Sequence, residues 1–85
     1  MKVVLKLYAS LTDYLPEKGR DQRHAVDVDV SPDATIASVI DSFRLPHRQV
    51  HLVLVNGLYV EPQLRATRTL NEGDHLAIWP PVAGG

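Results

Sequence analysis

The chain has no cysteine. That excludes disulfide staples, thiolate metal sites and a cysteine nucleophile, so any chemistry it supports uses other atoms. It has almost no excess of either charge: 9 Lys+Arg stand against 10 Asp+Glu, a formal net charge of -1. Without an electrostatic footprint for a polyanion, neither nucleic acid nor a membrane surface is expected as a partner. Long apolar runs are missing too. Lys2 and Lys6 interrupt the opening Met1–Leu7 stretch, which argues against a signal peptide or membrane span and for a cytoplasmic location. Length is also in short supply, at 85 residues. Such a chain buries roughly 60–65% of its unfolded surface, enough for one core but not for a deep substrate cleft. It therefore reads as one domain over residues 1–85, and a self-contained enzyme is not expected.

What is present is alternation. Val3, Leu5 and Leu7 fall on one face of a strand over residues 2–8, with Lys2, Val4, Lys6 and Tyr8 on the other. Ser10, with Asp13 three residues on, predicts a capped helical turn before Pro16, and the polar segment Glu17–Arg23 predicts a loop. Val26, Val28 and Val30 alternate with Asp27 and Asp29, a second strand that pairs back on the first. The period then changes: Ile36, Val39, Ile40 and Phe43 make one stripe of an amphipathic helix, which Leu45-Pro46 is expected to end. Leu52–Val55 and Leu58–Val60 flank Asn56-Gly57, the signature of a two-residue hairpin. Residues 62–70 read as irregular, and His75–Trp79 as a last strand. The order ββαβββ predicts an α+β chain with the ordering of a β-grasp, a mixed sheet of four to five strands wrapped on one main helix.

Phase then assigns faces. In the hairpin Val55 pairs with Leu58, Leu54 with Tyr59 and Val53 with Val60, and opposed residues share a face. If Val53, Val55, Leu58 and Val60 point at the helix, then Leu52, Leu54 and Tyr59 point away from it. The same parity puts Val4, Tyr8 and Trp79 on the outer face. An exposed apolar patch with tyrosine and tryptophan anchors is expected to be a protein interface, formed by Tyr8, Leu52, Leu54, Tyr59 and Trp79.

The last six residues are Pro80-Pro81-Val82-Ala83-Gly84-Gly85. The prolines stiffen the exit from the last strand and block further pairing, while Ala83, Gly84 and Gly85 carry almost no side chain, so this flexible tail can enter a narrow tunnel. The chemistry it permits is activation of its own α-carboxylate. Transfer to an ATP α-phosphate makes an acyl-adenylate, which sulfur or an amine can attack, and glycine removes hindrance at the attacked carbon. Gly85 would then be the reacting terminus, with Pro80, Pro81, Val82, Ala83 and Gly84 binding in the partner's tunnel.

With these residues in view, the chain resembles the MoaD/ThiS family of ubiquitin-like sulfur carriers. The resemblance runs through Val-x-Leu-x-Tyr-Ala-Ser-Leu (4–11), Val-Asn-Gly (55–57), Leu-Asn-Glu-Gly-Asp-His-Leu-Ala-Ile (70–78) and above all Pro-Pro-Val-Ala-Gly-Gly (80–85). It is closer to MoaD, the small subunit of molybdopterin synthase, than to ThiS. The resemblance implies adenylation of Gly85 by a MoeB-like adenylyltransferase, conversion to a thiocarboxylate by a sulfur donor system, and insertion of the tail into a MoaE-like large subunit for molybdenum cofactor biosynthesis. No cofactor would be bound, ATP being used by the activating partner. The stretch 45–57 is more similar to ubiquitin-like modules fused to predicted RNases, which typically lack a diglycine.

Other functions compete. A carrier of this kind could serve thiamine, another metabolite or tRNA, could be conjugated to protein lysines through Gly85, or could be a plain binding module that never uses its tail. His47 and His51 have a ligand-like spacing of four, but Pro46 precedes them, a strand follows, and no acid cluster completes a shell, so no metal is expected. Asp27 and Asp29 read as a solvated face with no catalytic role.

Overall fold

The computed structural model describes residues 1–16 and 24–81. The alternation at the start of the chain forms β1 (Lys2–Leu7), with Val3, Leu5 and Leu7 all buried. β2 (Ala25–Asp29) pairs antiparallel with it, Val3 opposite Val28 and Leu5 opposite Val26. Across the hairpin turn, β3 (Leu52–Val55) pairs with β4 (Leu58–Tyr59), setting Leu54 against Tyr59 and Val55 against Leu58. Asn56 and Gly57 both have positive φ, 52° and 83°, which a type I′ turn requires and glycine tolerates without strain. β5 (His75–Trp79) slots between β1 and β3, parallel to the first and antiparallel to the second. The sheet order is β2-β1-β5-β3-β4, the expected mixed sheet of a β-grasp.

The helix α1 (Ile36–Ser42) crosses the inner face and buries Ile36, Val39 and Ile40 against the inward residues of the strands. Each such aliphatic side chain taken fully out of water contributes about 1.5–3 kcal/mol, which is what holds the two layers together. Its first turn is tied down by a reciprocal pair: Ser38 N donates to Thr35 Oγ1 (3.1 Å) and Thr35 N donates to Ser38 Oγ (2.9 Å). Two more early N–H groups, of Ile36 and Ala37, reach the carbonyls of Arg68 and Arg65. Residues 62–70 are thus less irregular than expected. They hold a 3-10 turn over Pro62–Leu64 and a bridge from Thr69 to Thr35.

Three local expectations are corrected. The capping serine of the first helical turn is not a cap: the Ala9–Tyr14 3-10 helix has Tyr8 at its N-cap position with no side-chain cap. Ala9, at φ 53°, turns the chain straight out of β1, so the helix starts before Ser10. Nor does α1 run to Leu45-Pro46. Arg44 adopts φ 58°, its N–H bonds to Asp41 O and that of Leu45 to Ile40 O, the paired bonds of a Schellman stop after Phe43. Leu58, expected against the helix, is 69% exposed, because a two-residue edge strand carries it past the cover available among the described residues. Among those residues no helix is long and apolar enough to cross a membrane.

Candidate functional site

Register assembles the outer face row by row. At the end of the sheet from which the chain leaves, Leu52 lies opposite Trp79. Tyr8 continues β1 beside Trp79, its N–H on Ile78 O at 3.2 Å. The Tyr8 and Trp79 rings stack with centroids 4.1 Å apart and planes 1° apart, and His24 stacks on Tyr8 at 4.9 Å. Such stacking contributes about 0.5–1.5 kcal/mol beyond the area it buries and holds the rings against one another. The next row runs Tyr59, Leu54, Ala77, Lys6, Ala25. Further along the strands come His75, Val4 and Asp27, and then Lys2 and Asp29, whose side chains form an exposed ion pair at 3.1 Å. Apolar and aromatic character is therefore concentrated at the exit end, and charge at the opposite end.

All five side chains expected at an interface, Tyr8, Leu52, Leu54, Tyr59 and Trp79, lie on this one face in two adjoining rows. Their exposure differs from the expectation in degree. Tyr59 is 56% exposed. Tyr8 and Trp79 are only half-buried rather than bare, since each ring covers the other. Of the tail, Pro80 is half-buried and Pro81 exposed; Val82, Ala83, Gly84 and Gly85 lie outside the described residues.

Two groups escaped sequence reasoning, one at this end and one at the other. Arg65, in the stretch taken as irregular, donates from Nη1 to Val50 O (3.2 Å) and from Nη2 to His51 O (3.0 Å). His51 N in turn donates to Trp79 O (3.0 Å), so the guanidinium braces the strand edge beside the exit. No sequence pattern marks an arginine for that role. The second group joins two turns that look independent in the chain. Asp74, the one buried charged side chain among the described residues, accepts from Asn56 Nδ2 (2.9 Å) and Asn71 N (2.8 Å), while Asn56 Oδ1 accepts from His75 N (2.9 Å). This locks the β3–β4 turn to the start of β5 and is structural.

His47 Nε2 lies 3.1 Å from Asp41 Oδ1 at the surface, and among the described residues no three His, Asp or Glu converge as metal ligands. Asp27 and Asp29 are exposed, with Asp29 paired to Lys2.

A family model described as Mut7-C ubiquitin matches residues 1–84. SAMP1 from Haloferax volcanii, a small archaeal modifier protein, is 29% identical, with a TM-score of 0.67 and 100% of both chains covered. Two more distant structures share the fold over 100% of both chains, each at 14% identity. They are the thiamine biosynthesis protein ThiS from Geobacter metallireducens, TM-score 0.66, and subunit 1 in the complex of subunits 1 and 2 of molybdopterin-converting factor from Helicobacter pylori, TM-score 0.60. No curated protein sequence matches the chain.

Proposed function

We propose, from the premise that the chain belongs to the Mut7-C ubiquitin family, that it is a ubiquitin-like sulfur carrier whose reacting atom is the carboxyl carbon of Gly85. The observation that carries this reading is the continuity of the Leu52–Trp79–Tyr8 row with the exit: the rigid apolar row ends at the residue that leads into Pro80-Pro81 and the diglycine. A partner gripping the row receives the tail at a fixed point. The Gly85 carboxylate attacks the α-phosphorus of ATP in a MoeB-like adenylyltransferase, and pyrophosphate leaves. Hydrosulfide supplied by a donor then attacks the acyl carbon and displaces AMP, leaving a thiocarboxylate. The side chain's absence at Gly84 and Gly85 lets both steps proceed in a tunnel too narrow for a Cβ.

The chain contributes the substrate group and its delivery; the catalysts are its partners, and no cofactor is held by the carrier. Subunit 1 of the Helicobacter molybdopterin-converting factor, which shares the fold, is solved in complex with subunit 2. That supports a MoaE-like large subunit as acceptor and molybdopterin as the product pathway. A second reading, conjugation of Gly85 to protein lysines, is favoured by the likeness to a small archaeal modifier protein.

The test is the intact mass of the protein isolated from its own cells, and again after incubation with ATP, a sulfur donor and the adenylyltransferase of those cells. Replacement of one oxygen by one sulfur at Gly85 is expected. Adducts on other proteins would favour conjugation, and a mass extending past Gly85 would remove the free carboxylate the chemistry needs. With an adenylyltransferase active on another carrier, an unchanged mass overturns the reading. Gly85→Ala is expected to keep the fold and impair the conversion.

A further inference from the structure

β2 ends the sheet on the side opposite the β3–β4 hairpin. Met1 and Val30 exchange both of their main-chain hydrogen bonds, at 2.8 Å each, and Leu7 N bonds to His24 O at 2.8 Å. In an antiparallel pair bonded residues recur every second position, so His24, Val26, Val28 and Val30 face β1 with their main chains. The N–H and C=O groups of Ala25, Asp27 and Asp29 consequently point off the edge of the sheet. Beside this edge lies a groove of about 290 Å³ between the end of β2 and α1. Its floor is Val30, Ala34 and Val39, and its helical wall is Ser38 and Ser42. Residues 34, 38 and 42 are four apart and all small, so no large side chain from the helix fills the space. The serine hydroxyls on the wall are already spent on the carbonyls of Thr35 (2.8 Å) and Val39 (3.0 Å).

From this edge and groove we infer that β2 accepts a further strand from a partner, an extended peptide in which apolar residues alternate with lysine or arginine. A strand added to β2 continues the pleat. Its inward side chains drop beside α1 into the groove, where an apolar group meets Val30 and Val39. Its outward side chains stand beside Ala25, Asp27 and Asp29. Asp27 makes no ion pair among the described residues, and Asp29 has only the exposed pair with Lys2. The exposed Asp33, between the groove-lining Ser31 and Ala34 in the chain, adds a third negative charge. Opposite charges across neighbouring strands attract and like charges repel. A second copy of this chain docking edge to edge would set these aspartates against their own counterparts, so the charge selects a basic peptide over self-pairing. The site does not use the tail and stands whether or not Gly85 is activated.

The experiment is an amide NMR titration of the whole protein with the synthetic peptide Lys-Val-Lys-Ile-Lys-Val-Lys. Saturable shifts and slowed hydrogen exchange are expected at Ala25, Asp27 and Asp29. A peptide of the same composition without alternation, and one with glutamate for lysine, should each bind about tenfold more weakly or worse. Asp27→Lys combined with Asp29→Lys should lower affinity about tenfold, and Ser38→Leu, which fills the groove, should abolish binding. If Ser38→Leu fails to fold, the double aspartate variant remains decisive. Shifts confined to the Leu52–Trp79–Tyr8 row, equal binding of the glutamate peptide, or no saturable response at millimolar peptide would overturn the inference. So would concentration-dependent shifts at the same amides in the protein alone, which would make a second copy the occupant.

Discussion

The inner and outer faces of the sheet are built from alternate residues of the same strands, yet they differ in kind. Inward positions are aliphatic on every strand, and Leu5, Leu7, Val53, Leu76 and Ile78 are at most 1% exposed beneath α1. Outward positions are graded: stacked aromatics and a leucine at the exit end, then a mixed row of Tyr59, Leu54, Ala77, Lys6 and Ala25, and Lys2 and Asp29 at the far end. An antiparallel or mixed sheet with one solvated face needs only polar residues there. The aromatic row is therefore more than a solvated face requires, and it is the surface that the proposed function assigns to a partner. The comparison separates what the sheet does for stability from what it offers to a partner.

Four substitutions test that separation. Leu5→Ala, at the centre of the inner face, is expected to cost about 2–5 kcal/mol, a large share of the stability of a small domain, seen as a steep fall in the thermal midpoint. A small fall would show that the inner face is not the seat of stability. Trp79→Ala is expected to weaken docking of the proposed adenylyltransferase or large subunit by about 2 kcal/mol or more. Its cost in stability should be smaller, about the 0.5–1.5 kcal/mol of the lost stack. If stability falls as much as docking, the outer row is merely a second core. Asn56→Ala leaves the buried Asp74 carboxylate short of a donor and is expected to cost about 1–3 kcal/mol in chemical denaturation without touching either face. Lys2→Ala removes one exposed ion pair at the charged end and should change stability by less than about 1 kcal/mol, less still at high salt.

Much of this was legible in the chain. The two-residue period of Val3–Leu7 and Val26–Val30, and the Asn56-Gly57 turn, set the strands and their faces, because alternation is local and the turn dictates the hairpin register. Parity alone was enough to gather Tyr8, Leu52, Leu54, Tyr59 and Trp79 on one side. The ends of α1 were less legible. Its stop depends on Arg44 adopting a left-handed conformation that arginine does not advertise, and its start on carbonyls of Arg65 and Arg68 that arrive from far along the chain. The brace by Arg65 and the Asn56–Asp74 link were invisible for the same reason: each joins groups 14 or more residues apart.

Short-range periodicity and one turn dipeptide were enough to set the strands, their faces and the hairpin register, because each of these is local to a few neighbouring residues. Tertiary structure decided which strands became neighbours. Placing β5 between β1 and β3 brought Trp79 onto Tyr8 and beside Leu52, and among the described residues it left β2 at the edge of the sheet next to a groove. Strand order is a property of how all the buried faces pack at once, and no window of the chain contains it.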